Sequence, residues 1–408
     1  MKLIVLINLN PFFESSASSN RWCTLLEGLS NLGVDIELKI TGGYHTFLEF
    51  TLLGRKGIYT GVKYQYLTFI FNHNIWLRRM NSYILIPLMR IWISLKLKKD
   101  IRYNQDSIIW SDSSYDSFKW VVGVKQKYPK LLTFLELSEF LDIHNYNKGN
   151  VLQRFKADKR QLFFETKAFF SFNGLALMTK TLFNHYQSFP KPGPQLLHLP
   201  MTVDLDRFNT TVSTINGFES PYIAFVGVMN DAKDGVSILI KAFAQMSKQF
   251  PNYKLYLIGG WNYDTPNHIN LIKELNLEEK VYWKGEYQRE LIPAIINNAD
   301  LLALPRPDSH QAKGGFPTKL GEYLATGNPV CATRVGEIPD YLTDGESVYF
   351  AEPGSVDSFA EAMKRALCDP TEAKRIGMNG RKVAESYFNQ DIQAKILYDF
   401  LKENFLSQ

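Results

Sequence analysis

The segment from Lys313 to Pro329, KGGFPTKLGEYLATGNP, contains the residue types best suited to hold an anion. Gly314 and Gly315 allow a ligand to approach the main chain closely, and Pro317 is favoured at the start of a helix. The first backbone amides of a helix have no partner within it and lie at the positive end of the helix dipole. The segment therefore predicts a phosphate-binding helix start.

Three side chains of this predicted helix extend the site. Lys319 adds an ammonium group, Thr318 adds a hydroxyl, and Glu322 follows Thr318 by four residues on the same helix face. A carboxylate repels phosphate but accepts hydrogen bonds from the two hydroxyls of a ribose. We interpret the segment as a nucleotide diphosphate site with the ribose on Glu322. The alternative is that Glu322 is a solvated helix residue.

The longer segment GGFPTKLGEYLATGNPVCATRVGEIPDYLTDGES resembles the nucleotide-binding core of the family-4 (group 1) retaining glycosyltransferases, which have the GT-B fold. Residues 225–229 with Lys233 are similar to that family's Gly-Arg-Leu…Lys-Gly phosphate segment. Residues 199–208, LPMTVDLDRF, resemble its Pro-Asn-Gly-Val-Asp element. The resemblance is strong over residues 220–355, moderate around 195–210 and confined to the general pattern elsewhere.

The resemblance implies roles for individual residues. It assigns the ribose to Glu322 and the diphosphate to Lys233. We expect Lys319 to be the second catalytic cation, with Arg306 and Lys313 as further candidates. The other residues that we expect at the donor are Gly227, Gly314, Gly315, Phe316, Pro317 and Thr318.

Two positions depart from the family pattern. Gly314 stands where the family has a glutamate associated with the donor sugar, and Val228 stands where it has an arginine that binds the diphosphate. Either the cations are relocated, with Lys319 as the replacement, or the donor site is weakened. We favour relocation because Lys319 supplies a cation where the helix amides already point.

The first half of the chain resembles the family's acceptor domain less closely. Ser16, Ser18 and Asn20 lie in the loop after the first strand and can donate hydrogen bonds to a ligand, or the loop simply caps a helix that begins at Asn20. Glu136 and Glu139 lie at a predicted strand end and are candidate catalytic contacts to the acceptor or the sugar. Either could instead be a carboxylate at a helix start.

We expect neither a metal nor a cofactor beyond the nucleotide sugar substrate. Asp204 and Asp206 form a D-x-D pattern, but we interpret it as structural within LPMTVDLDRF. The seven histidines are scattered, and Cys23, Cys331 and Cys368 are too few for a disulfide framework or a zinc site. No G-x-G-x-x-G follows a strand, which disfavours a dehydrogenase.

Apolar runs alternate with amphipathic helical segments along the 408 residues, a pattern typical of parallel α/β architecture. It predicts two doubly wound, Rossmann-like domains that face a central cleft. We place the acceptor-binding domain at 1–208, a linker at 209–221 and the donor-binding domain at 222–385. A final helix within 386–408 is expected to pack back toward the first domain.

Charge is unevenly distributed. Residues 1–210 carry 26 Lys and Arg against 16 Asp and Glu, whereas residues 211–408 carry 20 against 25. Residues 51–99 contain nine basic and no acidic residues, interleaved with aromatic and aliphatic ones. This composition favours contact with an anionic membrane over the alternative, a helix pair with solvated cations. No nucleic-acid-binding motif accompanies it, and no uninterrupted apolar run of about 18 residues predicts a spanning helix.

Together these features predict a metal-independent, hexosyltransferase-type retaining enzyme. It would move a sugar from a nucleotide diphosphate to a lipid-linked or surface-glycan acceptor in bacterial polysaccharide synthesis. The N-terminus is interpreted as a first strand rather than a signal peptide, so we expect a cytoplasmic protein, peripheral on the inner membrane. The alternatives are a nucleotide-sugar epimerase of the same fold and a non-catalytic partner subunit that binds nucleotide.

Overall fold

The computed structural model describes residues 1–13, 16–42, 51, 54–68, 95, 107–141, 151–209 and 215–406. They divide into two compact α/β units. The first comprises the described residues of Met1–His144, Gly149–Leu199 and Gln393–Gln408, and the second comprises those of Pro200–Ile392. Each unit contains a predominantly parallel sheet, which confirms the predicted class of two doubly wound domains.

The strands of the first unit form one sheet. They are β1 (Lys2–Ile7), β2 (Asp35–Ile40), β3 (Lys56–Tyr59), β4 (Val62–Tyr66), β5 (Ile108–Ser111), β6 (Leu132–Leu137), β7 (Gly174–Leu177) and β8 (Gln195–His198). Their order is β3-β4-β2-β1-β5-β6-β7-β8, and only the β3–β4 pair is antiparallel. The hairpin β3–β4 was not predicted. The other strands agree to within two residues at each end with those that the apolar runs predict, which are Leu3–Ile7, Asp35–Ile40, Ser107–Trp110, Leu131–Leu135, Leu175–Met178 and Gln195–Leu199.

Helices on both faces of this sheet explain why its strands β1, β5 and β7 are buried over almost their whole length. They are α1 (Ala17–Asn31), α2 (Tyr115–Lys127), α3 (Val151–Phe163), α4 (Lys180–Gln187) and the final helix α14 (Gln390–Phe405). Leu397, Leu401 and Phe405 of α14 are buried in the same apolar cluster as Leu3 and Trp110. The final helix therefore packs on the first unit, as predicted.

The strands of the second unit form a parallel sheet of order β11-β10-β9-β12-β13-β14. They are β9 (Tyr222–Val226), β10 (Lys254–Ile258), β11 (Val281–Gly285), β12 (Leu301–Leu304), β13 (Val330–Thr333) and β14 (Tyr349–Ala351). In such a sheet, loops that bind ligands follow the carboxyl ends of the strands. The loops after β9, β10, β11 and β12 are therefore candidates to bind a ligand.

The helices of the second unit connect these strands. They are α5 (Asp231–Asp234), α6 (Val236–Met246), α7 (Thr265–Glu274), α8 (Ile292–Asn297), α9 (His310–Gly314), α10 (Thr318–Ala325), α11 (Ile338–Tyr341), α12 (Val356–Cys368) and α13 (Pro370–Val383). The central apolar cluster joins α6 and α12 to the sheet through Phe243, Met246 and Phe359. Among the described residues, no helix has both the length and the hydropathy needed to cross a membrane.

The boundary between the units follows Leu199, whereas the predicted first domain extends to residue 208. Residues 200–208 have contacts in the second unit. A side chain at Gly321 would clash with Met201, and the amide of Val203 donates to the carbonyl of Phe388 (2.8 Å). Part of the predicted linker 209–221 lies outside the described residues.

Candidate active site

The start of helix α10 lies where the sequence predicts it. Pro317 is the N-cap residue and provides no side-chain cap, so the first amides of the helix, Thr318 and Lys319, have no partner within it. Helix α10 has eight residues. Its dipole and exposed amides can therefore stabilise a negative charge placed at Thr318.

The glycines that precede α10 lie in an ordered segment. Gly314 ends the short helix α9, and the amide of Gly315 donates to the carbonyl of Gln311 (2.9 Å). The guanidinium of Arg306 is buried and its Nη2 donates to the carbonyls of Gln311 (3.1 Å) and Gly315 (3.5 Å). Arg306 thus fixes the main chain of the glycine segment in addition to contributing positive charge.

Phe316 anchors this segment rather than facing a ligand. Its ring is buried, with its centroid 5.2 Å from that of Phe388 and 5.6 Å from that of Tyr341. An aromatic anchor one residue before Pro317 fixes the entry of the chain into α10. Phe316, which the resemblance assigned to donor binding, therefore supports the site from the core side.

Lys319 forms a buried ion pair. Its Nζ lies 2.6 Å from Oδ1 of Asp234, the side chains are 16% and 3% exposed, and Nζ lies 4.6 Å from the ring centroid of Phe225. Burial lowers the pKa of Lys319, and the Asp234 carboxylate opposes this shift. The Oδ2 of Asp234 is buried and has no hydrogen-bond partner among the residues that the structure describes.

Gly227 makes room for this lysine. A Cβ atom at position 227 would overlap Nζ of Lys319, so any larger residue there would displace the ammonium from its present place. Helix α10 is also joined to the end of β9 by Tyr323, whose hydroxyl accepts the amide of Val226 (2.7 Å). The two segments that the resemblance assigns to the diphosphate are therefore in direct contact.

Lys233 lies on the short helix α5 that follows this loop. Asn230 caps α5 by accepting the amide of Lys233 on its Oδ1 (2.9 Å). The positive charges of Lys233 and Arg306 further lower the pKa of Lys319. Three of the cations that the sequence singles out thus interact electrostatically. Lys313, the outside candidate, is exposed and lies 3.5 Å from Asp308.

Glu322 is paired with an arginine that the sequence did not indicate. Its Oε1 accepts from Nη1 of Arg207 (3.1 Å), and Nη2 of Arg207 donates to the carbonyl of Arg289 (2.8 Å). The two side chains are 17% and 15% exposed. Arg207 therefore holds the orientation of the Glu322 carboxylate, and its place in the LPMTVDLDRF segment is the only signal that points to it.

In the first unit, Glu136 is held by a second buried ion pair. Its Oε1 lies 3.2 Å from Nε of Arg21, and Nη2 of Arg21 donates to the carbonyl of Leu199 (2.8 Å). Burial lowers the pKa of Arg21, opposed by Glu136. Ser138 donates to both oxygens of Glu136 (3.0 and 3.1 Å), whereas Glu139 is exposed. Glu136 is thus a buried, paired carboxylate, and Glu139 is the more accessible of the two predicted contacts.

The serines after β1 lie at the start of helix α1, which begins at Ala17 rather than at Asn20. Ser16 is the N-cap residue, and its hydroxyl accepts the amide of Ser19 (3.1 Å). Ser18 is exposed in the first turn, and Asn20 lies within the helix. The residue that caps this helix is therefore Ser16, and the hydroxyl of Ser18 is exposed to solvent.

No group of three or more His, Cys, Asp or Glu side chains among the described residues is arranged to hold a metal ion. In the D-x-D pattern, Oδ1 of Asp204 accepts the amide of Asp206 (3.1 Å), and Oδ1 of Asp206 accepts from the side chain of Asn209 (3.1 Å). Both carboxylates thus stabilise the turn that contains them.

Residues 212–383 match the family model described as glycosyl transferases group 1. The MMP alpha-(1->4)-mannosyltransferase of Mycolicibacterium hassiacum is 27% identical over 198 residues, which cover 48% of this chain and 46% of that protein. The GDP-mannose-dependent alpha-(1-6)-phosphatidylinositol monomannoside mannosyltransferase of Mycolicibacterium smegmatis is 28% identical over 200 residues, covering 47% and 52%. The chain spans about half the length of these curated relatives.

Solved structures resemble the whole chain. Sucrose-phosphate synthase from Thermosynechococcus elongatus matches with a TM-score of 0.78 at 17% identity, covering 100% of both chains. Anabaena HepE in complex with UDP matches with a TM-score of 0.67 at 13% identity, covering 99% and 100%. At these identities the likeness shows the fold, which is GT-B. The match in sequence to the group 1 glycosyltransferases is confined to residues 212–383.

Proposed function

We propose that the protein transfers a sugar from a nucleotide diphosphate sugar to an acceptor hydroxyl, with retention of configuration. The observation that carries this proposal is the cation cluster at the start of α10. Lys319 is paired with the Asp234 carboxylate, and the charges of Lys233 and Arg306 lower the pKa of Lys319, so three cations accompany one carboxylate beside the first amides of α10. A pyrophosphate bridge carries negative charge and accepts hydrogen bonds from amides.

The Glu322 carboxylate supports a nucleoside on one side of the diphosphate. It lies one helical turn beyond Thr318, on the same face of α10, and is held by Arg207 (3.1 Å). A carboxylate fixed in this way can accept the two ribose hydroxyls without first losing side-chain freedom. The distance of one turn separates it from the phosphates that it would repel.

The proposed chemistry needs little more than this cluster. As the bond between the sugar and the diphosphate breaks, negative charge grows on the departing phosphate. The α10 amides and the ammonium of Lys233 stabilise that charge where it develops. In this proposal the departing phosphate oxygen takes the proton of the acceptor hydroxyl, and no metal is required.

The names of related proteins agree with a nucleotide sugar donor. Two relatives are named as mannosyltransferases, one of them GDP-mannose-dependent, and a structural neighbour was solved with UDP and glucose.

We infer a lipid-linked or surface-glycan acceptor and a peripheral location on the cytoplasmic face of a bacterial inner membrane. Most of the basic segment 51–99 lies outside the described residues; within it, the hairpin β3–β4 presents Lys56 and Ile58, the latter 69% exposed.

The experiment is a transfer assay with radiolabelled UDP-, GDP- and ADP-sugars and lipids extracted from bacterial membranes. We expect label to enter the lipid fraction with one donor class. Lys233→Ala and Glu322→Ala should remove the transfer, whereas Lys241→Ala, an exposed lysine of α6, should leave it intact. Unchanged turnover in both site variants would show that this site is not the one that acts.

The same assay separates the other two functions. An epimerase would convert the nucleotide sugar alone into an isomer without any lipid. A non-catalytic subunit would bind nucleotide and release no nucleoside diphosphate with any acceptor. Either result would replace the transferase proposal.

A further inference from the structure

Two exposed aromatic rings lie at the carboxyl end of β10, next to the phosphate loop. Trp261 is 60% exposed and Tyr263 is 69% exposed. The ring of Trp283 supports Trp261 from below at a centroid distance of 5.2 Å, and its Nε1 donates to the carbonyl of Gly259 (2.8 Å). A large aromatic surface that is held in place but open to solvent is suited to stack on a flat ligand.

This aromatic loop is in contact with the phosphate loop. A Cβ atom at Gly259 would overlap the carbonyl oxygen of Gly227, so the two loops meet without space for a side chain. Asn230, which caps α5 beside Lys233, donates through Nδ2 to the hydroxyl of Tyr263 (2.6 Å). A ligand whose phosphates lie at Gly227 can therefore reach Trp261 along the edge of the sheet.

A carboxylate lies beside the aromatic surface. Glu286 follows β11, is exposed, and its Oε1 occupies the space next to Gly260, where a Cβ atom would overlap it. Gly260 precedes Trp261 directly. Glu286 thus presents an acceptor-only group beside the main chain that leads into Trp261.

The proposed ribose site at Glu322 is connected through Arg207 to the loop after β11. Arg207, which holds Glu322, also donates to the carbonyl of Arg289, three residues beyond Glu286 in the loop after β11. The phosphate loop, the aromatic loop and the Glu286 loop follow β9, β10 and β11, which are neighbours in the sheet. Adjacent strands are ~4.8 Å apart, so these ends span roughly 10 Å, a distance that a nucleoside can bridge.

We infer that Trp261 and Glu286 form the nucleobase subsite and that it selects guanine; this inference rests on the proposed donor site. Guanine presents two adjacent donors, N1–H and the 2-amino group, which match the two oxygens of one carboxylate. Uracil has a single N–H between two carbonyls, and adenine has one amino donor beside a bare ring nitrogen. Both would place an acceptor against a carboxylate oxygen of Glu286, and two acceptors that face each other cannot form a hydrogen bond.

The test is titration calorimetry with GDP, UDP and ADP on the full chain. We expect GDP to bind at least tenfold more tightly than the other two, since one bidentate pair discriminates by that order. Glu286→Gln should abolish the preference and instead admit xanthosine diphosphate, whose C2 carbonyl accepts from the new amide. Glu290→Gln, an exposed glutamate of the same loop, is the matched control and should retain the GDP preference.

The aromatic surface is tested in the same way. Trp261→Ala should weaken all three nucleotides by roughly tenfold, and Trp261→Phe should recover most of the loss because it keeps a ring. A preference for UDP or ADP, or an unchanged GDP preference in Glu286→Gln, would overturn the guanine subsite and leave the donor site standing. If no nucleoside diphosphate binds, the proposed function itself fails.

Discussion

Removing one partner of the Lys319–Asp234 pair should destabilise the second unit strongly, and removing both should not. In Asp234→Asn, a lysine whose side chain is only 16% exposed loses the carboxylate 2.6 Å away. The largest possible cost is that of deprotonating the lysine, which from an ordinary pKa of about 10.4 is about 4.6 kcal/mol at pH 7. We therefore expect a loss of about 3–4.5 kcal/mol in the free energy of unfolding.

The stability loss of Asp234→Asn should also depend on pH, in a direction that the pKa of Lys319 determines. Burial already lowers the pKa of Lys319 in the intact pair, and without Asp234 the folded state binds the proton still less well than the unfolded state does. Stability rises with pH wherever the unfolded state binds more protons. The deficit of Asp234→Asn should thus shrink as the pH rises from 7 toward 10, by at most about 1.4 kcal/mol per pH unit.

The assay is urea unfolding of four proteins: the wild type, Asp234→Asn, Lys319→Met and the double variant. Lys319→Met leaves a carboxylate that is 3% exposed and should lose about 3–5 kcal/mol. The double variant should lose only about 1–2 kcal/mol, because neither charge remains buried alone. Losses that simply add, or single losses below about 1 kcal/mol, would refute the reasoning. Nucleotide affinity should stay low in the double variant, which separates the structural role of Lys319 from its role at the diphosphate.

Four further changes have defined outcomes. Gly227→Ala should push the ammonium of Lys319 off its partner and weaken nucleotide binding at least tenfold by calorimetry, since a Cβ there overlaps Nζ. Val228→Arg, at a position that is 51% exposed, should restore part of the nucleotide affinity of the double variant. Burial raises the pKa of Asp231, but hydrogen bonds from His268 and Ser237 outweigh it and lower the pKa to about 2. Asp231→Asn should cost about 1–2 kcal/mol at pH 7, reduced because the carboxyl is partly exposed, and unfolding scans should show this difference disappearing as the pH falls from 4 to 2. Arg21→Met should lower the unfolding free energy of the first unit by about 3–5 kcal/mol with calorimetric nucleotide affinity unchanged.

The strands predicted best are those whose apolar residues are continuous or alternate regularly. Such patterns predict strands at Asp35–Ile40, Tyr222–Val226, Lys254–Ile258 and Leu301–Leu304, and the observed bounds agree at both ends. The hairpin β3–β4 was missed because its first strand is mostly exposed and lies within a basic segment. The turn between the strands places Thr60 and Gly61 at positive φ, and Thr-Gly is a weaker hairpin signal than Asn-Gly or Asp-Gly.

The functional side chains were easier to predict than their partners. Lys319 and Glu322 follow from residue type and helical spacing, which are local properties. Their partners Asp234 and Arg207 lie 85 and 115 residues away along the chain. Such pairs depend on which strand ends meet, and no local pattern encodes that. Arg21 and Glu136 in the first unit are a third case, separated by 115 residues.

The ion pair with Asp234 distinguishes Lys319 from the arginine that the family has at position 228. The resemblance places an arginine at Val228, where a side chain would extend from the loop into solvent with its charge unopposed. In this chain the ammonium of Lys319 extends from α10 into the space beside Gly227 and forms an ion pair with the Asp234 carboxylate. A cation that is already paired gives less attraction to a diphosphate, but it stays fixed between the loop and the helix. In the proposed donor site, Lys233 would therefore supply charge to the diphosphate, and the Lys319–Asp234 pair would fix the geometry.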